Sequence, residues 1–245
     1  MTSREVILRE MGLTPIWVDR SSNSARPAVV STASSVPETP PAPHDVPSEQ
    51  SAVDREAAIA NMSWDELVAS IAACTACKLC ATRTNTVPGA GDRSPAWMIV
   101  GEAPGEGEDR QGEPFVGKAA LLLDAMLIAV GKRRGDGVYI ANVIKCRPPG
   151  NRNPEPDEIA ACSPYLSRQI ALAKPKLLLA TGEFAAQTLL NRDDTVAAMR
   201  ALPQTVSQRD GIPVVVTFHP SHLLRRPIEK AKAWDDLQKA RALTP

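Results

Sequence analysis

Three cysteines fall within seven residues, CTACKLC at 74–80, and two more, Cys146 and Cys162, follow far along the chain. Thiolate sulfur is a soft ligand, and a Cys-x2-Cys pair with two distant cysteines suits either zinc or an iron–sulfur cluster. The distant pair is not itself Cys-x2-Cys, which weakens the case for a zinc ribbon. A second group of candidates has different chemistry. Glu102 lies in GEAPGEGEDRQGEPFVG (101–117) with Glu108, Asp109 and Phe115, Asn142 opens NVIKCRPPGNRNP, and His219 stands in HPSHLLRRP. An asparagine amide offers a paired donor and acceptor, suited to an amide-like edge. An imidazole can meet a developing negative charge, and a carboxylate a positive one.

Such groups act together only if the fold gathers them. Four short apolar runs read as buried strands: AWMIV (96–100), VYIANVI (138–144), KLLLAT (176–181) and PVVVTF (213–218). Helical patterns separate them at about 116–131, 155–173 and 183–191, and a last helix is predicted at about 227–242. Ser63 followed by Trp64-Asp65-Glu66 reads as an N-cap with an acidic first turn, opening a helix to about Ala73. This alternation predicts a four-stranded parallel sheet with helices on both faces, an α/β/α arrangement. Ligands of such sheets bind beyond the carboxyl ends of the strands. Glu102, Asn142 and His219 all sit at such ends. Strand three offers only Gly182-Glu183, to which no chemistry is assigned.

The 245 residues suffice for one good-sized domain with an appendage. Lys+Arg and Asp+Glu are equal at 28 each, which argues against a polybasic protein. Residues 1–63 hold five Arg and eight acids, so −3, and the remainder carries +3. A mildly basic body permits a cationic groove. No apolar run approaches the roughly 20 residues of a membrane span, and MTSREVILREMGL lacks an apolar signal core. A cytoplasmic location is therefore expected, where cysteines are ligands or free thiols rather than disulfides. Composition predicts a Pro/Ser/Ala linker over 21–60, with the folded domain at 61–245.

The three strand-end motifs, in this order, closely resemble those of the bacterial, iron–sulfur-containing family 4 uracil-DNA glycosylases, over about residues 64–243. The resemblance implies a monomeric, monofunctional base-excision repair enzyme that flips uracil out of single- or double-stranded DNA and hydrolyses its glycosidic bond, leaving an abasic site. It gives Phe115 the role of stacking on uracil, Asn142 that of reading its edge, and His219 that of donating to its O2. Glu102 would orient water or steady the sugar cation. Glu108 stands where other uracil glycosylases carry a tyrosine that excludes thymine, and the Ala103 backbone would line the pocket. Leu223 and Leu224 with Arg225 and Arg226 form a candidate wedge, and Lys145, Arg147, Arg152 and the basic run 132–134 are candidate phosphate contacts. Ala120 departs from the family pattern, which has glycine there.

The same resemblance implies that Cys74, Cys77, Cys146 and Cys162 hold a [4Fe–4S] cluster with a structural role, leaving Cys80 as the surplus thiol. A related branch bonds covalently to the sugar through a loop histidine. Here RPPGNRNPEP has no histidine, and Ala103 replaces that branch's glutamine. A non-catalytic DNA-binding protein is the other alternative, and the joint presence of Glu102, Asn142 and His219 argues against it. Finally, MTSREVILREMGLTPIWVDR is similar to the amino-terminal segment of the clamp-loader psi subunit that docks on chi, making residues 1–20 a candidate docking peptide.

Overall fold

Four apolar runs become strands because the sheet they form is covered on both sides. The computed structural model describes residues 49–202, 205–206 and 211–244. In chain order the elements are α1 (Glu49–Ala60), α2 (Trp64–Ala72), β1 (Ala90–Gly91), β2 (Trp97–Gly101), α3 (Glu106–Gln111), α4 (Gly117–Ala129), β3 (Val138–Asn142), α5 (Pro156–Ala173), β4 (Leu177–Thr181), α6 (Glu183–Leu190), α7 (Val196–Ala201), β5 (Thr205–Val206), β6 (Pro213–Thr217), α8 (Pro220–Arg225) and α9 (Lys230–Leu243). The sheet order is β1-β3-β2-β4-β6-β5. The central four, β3-β2-β4-β6, are parallel.

Within each strand successive side chains enter opposite cores, as the two-residue period requires. Met98, Val100, Leu178, Ala180, Val214 and Val216 face a layer that includes Ile59, Leu67, Ile71, Leu166, Ile170 and Leu189. Trp97, Ile99, Leu177, Leu179 and Val215 face the other, with Leu123, Leu127, Leu223 and Leu237. The expected α/β/α class therefore stands, and the strand count is corrected. Two-residue strands flank the parallel set, β1 antiparallel to β3 and β5 antiparallel to β6. Neither carries the apolar run that marks a buried strand, so periodicity had nothing to find.

Residues 49–60, assigned to the linker by composition, form helix α1 instead. Ile59 is buried in the core, and Arg55 donates to the Ala161 carbonyl of α5 at 2.9 Å. An Ala-rich segment with one large apolar residue looks like linker, yet one anchor and one guanidinium suffice when α5 is there to receive them. The docking peptide at 1–20 and the linker residues up to 48 lie outside the described residues.

Two short helices outside the predicted helical patterns, α3 and α8, stand at the carboxyl end of the sheet. Helix α3 is held by Asp109, buried in its interior. Its carboxylate accepts from the Thr84 amide at 2.9 and 3.1 Å and from the Asn85 amide at 3.3 Å. Each such bond contributes on the order of 1.5–3 kcal/mol when the acceptor is charged. The cysteine-bearing segment and the first strand-end motif are thereby tied together.

Candidate active site

Strand β2 ends at Gly101, whose register partner on β3 is Asn142. A methyl group built on Gly101 would lie 2.3 Å from Asn142 Oδ1 and 2.8 Å from the Phe115 ring. The glycine is thus required by close approach, and it is what brings the amide and the ring together. Phe115 and Asn142 are only 5% and 2% exposed, so both side chains are enclosed where they meet at Gly101. Phe115 also stacks on the His219 imidazole, with ring centres 5.2 Å apart. The phenylalanine adopts φ +53°, a left-handed conformation that is costly for a side-chain-bearing residue. Arg134 holds it there, donating to the Pro114 carbonyl at 2.8 Å and the Phe115 carbonyl at 3.2 Å.

His219 follows β6 and caps helix α8. The Ser221 amide donates to His219 Nδ1 at 3.2 Å, and the Ser221 hydroxyl lies 2.8 Å from the same nitrogen. Because a backbone N–H can only donate, Nδ1 is an acceptor and the neutral ring carries its proton on Nε2. Burial, reinforced by Arg225 and His222, pushes the His219 pKa down to about 4. At neutral pH the residue is therefore an uncharged Nε2–H donor. Gly182 at φ +98° lets this side chain pack close, since a methyl there would be 3.3 Å from His219 Cβ.

Glu102 and Ala103 line a cleft of about 450 Å³ with Gly182, Glu183, His219 and Arg225. Burial and then the charge of Glu183 raise the Glu102 carboxyl above its ordinary range. Glu183, given no role by the sequence, is thus the acid nearest in effect to Glu102. The Glu102 carboxyl and the neutral His219 imidazole line this cleft, while the Asn142 amide and the Phe115 ring are buried at Gly101, the ring stacked on His219. That set can bind a planar base by its edge and face and stabilise opposite charges that develop across one bond.

The remaining sequence candidates divide. Glu108 spends both oxygens on backbone, accepting from Gly105 at 3.1 Å and Val116 at 3.0 Å, so it shapes the loop that carries Phe115. Leu224 is 42% exposed at the cleft edge, beside exposed Arg225 and Arg226, whereas Leu223 is fully buried and cannot be part of a wedge. Arg147 donates to Asn151 Oδ1 at 2.7 Å on the loop after β3 and is half-buried. Lys145 is only 1% exposed and cannot reach a phosphate. Arg152 is engaged by Glu158 at 2.5 and 2.9 Å, and Arg134 by the Phe115 loop. Ala120, in place of the family glycine, is buried in the face of α4 that packs on the sheet.

All five cysteines line one small cavity, with Ile71, Arg83, Lys145 and Tyr165. Three of the sulfurs receive N–H donors. Arg83 Nη1 reaches Cys146 Sγ at 3.1 Å, Arg55 Nη2 reaches Cys74 Sγ at 3.7 Å, and the Lys145 amide reaches Cys162 Sγ at 3.3 Å. Burial pushes the thiol of Cys77 up to about 11 and that of Cys162 up to about 12. Among the described residues no three His, Cys, Asp or Glu side chains are grouped as a single metal ion needs. Cys80 stands at the same cavity, its Sγ 4.0 Å from the Thr75 carbonyl. Arg55 and Arg83 were missed by the sequence reading, because nothing in one sequence marks an arginine as a sulfur partner.

A cleft at the carboxyl ends of a parallel sheet is where α/β enzymes bind their ligands, and comparison with known proteins gives the class. Residues 88–238 match the Uracil DNA glycosylase superfamily. The chain is 42% identical to the "Type-4 uracil-DNA glycosylase" of Archaeoglobus fulgidus, over 72% of this chain and 91% of the relative. It is 42% identical to that of Thermotoga maritima, over 69% and 88%, and 39% identical to that of Sulfurisphaera tokodaii, over 75% and 86%. The chain belongs to the type-4 uracil-DNA glycosylase family.

The geometry at Gly101 makes the first prediction. Gly101→Ala is expected to displace Asn142 or Phe115 and lower uracil release by about 100-fold or more, the scale of losing one well-placed polar partner at a reacting centre. Release from a uracil-containing oligonucleotide measures it, and an unimpaired variant would show that this close approach is dispensable.

Proposed function

We propose that this chain hydrolyses the bond between uracil and deoxyribose in single- or double-stranded DNA, without lyase chemistry, and leaves an abasic site. The observation that carries the reading is the convergence of Asn142, Phe115, His219 and Glu102 on the ends of β2, β3 and β6, within a chain of this family. As the C1′–N1 bond breaks, its electron pair passes to the base and the sugar becomes oxocarbenium-like. The Nε2–H of His219 meets the charge at O2, and the Asn142 amide reads the uracil edge. Phe115 supplies the stacking face. The Glu102 carboxylate steadies the cation or orients the water that completes the hydrolysis. Ala103 lines the pocket, while Glu108 sets the loop and so the space left for a thymine methyl. Leu224, Arg225 and Arg147 are the proposed DNA contacts, the first filling the vacated stack. Deaminated DNA bases are removed in this way during base excision repair.

Glu102→Ala and His219→Ala should each slow single-turnover release by about 10²–10⁴-fold. The pH profile separates them. With its pKa raised, Glu102 loses its charge at higher pH than an ordinary carboxyl near 4.3, so activity rises with pH through that value. His219 at about 4 is already neutral there. Glu102→Gln should therefore remove the acidic limb, and an unchanged limb would assign it elsewhere.

We also propose that Cys74, Cys77, Cys146 and Cys162 hold a [4Fe–4S] cluster. Four sulfurs around one cavity, three of the five cysteine thiols accepting N–H donors, suit thiolates bound to iron. When bound, the cluster supplies a charged cross-link between the segment after α2, the loop after β3 and helix α5. Cys77→Ser and Cys162→Ser should lose iron and the brown absorption. Cys80→Ser should keep both, and its loss of iron would make Cys80 a ligand.

Residues 1–20 are proposed, on sequence similarity alone, to dock on the chi subunit of the replicative clamp loader and concentrate the enzyme at replicating DNA. Deleting them should abolish co-elution with purified chi. Unchanged co-elution would remove the proposal.

A further inference from the structure

Lys145 is the one fully enclosed lysine in the described structure's buried set, and its surroundings are unusual for an ammonium. Its Nζ donates to the Asn142 backbone carbonyl at 2.6 Å and to Gln169 Oε1 at 2.7 Å, both neutral oxygens. Gln169 is itself held, its Nε2 donating to the Pro88 carbonyl at 2.6 Å and to the Tyr139 hydroxyl at 3.3 Å. The Lys145 backbone N–H ends on Cys162 Sγ at 3.3 Å, and its carbonyl accepts from the Val87 amide at 2.8 Å. Removing an ammonium from water costs several kcal/mol, and an apolar side chain of equal length would fill the same space more cheaply. The charge therefore needs a reason that packing does not provide.

The contact with Asn142 provides one. Asn142 is the last residue of β3, where the chain leaves the sheet, and its carbonyl shares one planar peptide group with the Val143 amide. The Val143 amide donates to the Gly101 carbonyl at 2.9 Å and Lys145 holds the Asn142 carbonyl at 2.6 Å, so this group is fixed at both ends, one of them by Lys145. We propose that Lys145 is a positioning residue for base recognition: by gripping the Asn142 carbonyl it sets the direction of the Asn142 amide, and through Cys162 it ties that direction to the cysteine site. This assignment rests on the excision reading given above.

A double-mutant cycle tests it. Wild type, Lys145→Met, Asn142→Ala and the double variant are compared in single-turnover release of uracil, with iron content and melting temperature measured on each. Lys145→Met is expected to keep its iron and a cooperative melt but to lose about 10–100-fold in rate, the scale found for residues that orient a site's ligands. In the Asn142→Ala background the same substitution should cost no more than about twofold, because the residue through which it acts is gone. Losses that multiply in the double variant, or a Lys145→Met enzyme as fast as wild type, would overturn the assignment while leaving the excision reading intact. A wild type that releases no uracil would overturn both. If Lys145→Met does not melt cooperatively, Gln169→Leu replaces it in the cycle, with the same non-additivity expected and the same multiplication of losses excluding the role.

Discussion

The parallel pairing of β2 with β3 places Gly101 directly beside Asn142, and nothing larger than hydrogen fits on that glycine. From this one close approach the rest of the site follows. The Asn142 amide can sit there because no side chain fills the space, and the Phe115 ring can close over the same point. His219 then stacks on Phe115 from the end of β6, two strands away, across a sheet whose buried faces hold the four parallel strands in register. A shift of one residue in β2 would point each of its side chains into the opposite core. The recognition geometry is therefore as stable as the two hydrophobic layers that enforce it.

Burial does the electrical tuning. The same low-dielectric setting keeps His219 neutral, with Nδ1 committed to Ser221, and raises Glu102 alongside Glu183. One group is made a donor without charge, the other a carboxylate with a reduced hold on its own ionisation. The strain at Phe115, on the order of 1–3 kcal/mol for such backbone, is held by Arg134 and by the brace of Glu108 on the Gly105 and Val116 amides. Arg134 and Glu108 thus act on the backbone of the loop that carries Phe115.

The cysteine cavity and Asn142 are separated by only the few residues from Asn142 to Cys146. Asp109 adds a second tie, from the segment after the cysteine turn to helix α3. Loss of order around the cysteines would be felt at Asn142 through Lys145 and at the Phe115 loop through Asp109.

Much of this molecule was legible in its sequence. The buried strands announced themselves as uninterrupted apolar runs, because a strand covered on both faces has no polar side to show. Glu102, Asn142 and His219 stood at the ends of those runs, and the topology of a parallel sheet brings such ends together whatever the intervening residues. Tertiary structure alone decided the rest. Composition cannot tell that 49–60 becomes a helix, since its stability comes from α5 and not from its own residues. Nor can it tell a lysine that meets phosphate from one like Lys145, whose charge is enclosed between the Asn142 carbonyl and Gln169 on helix α5. Charge is a property of the residue, but desolvation and pairing belong to its surroundings, and only the folded chain supplies those.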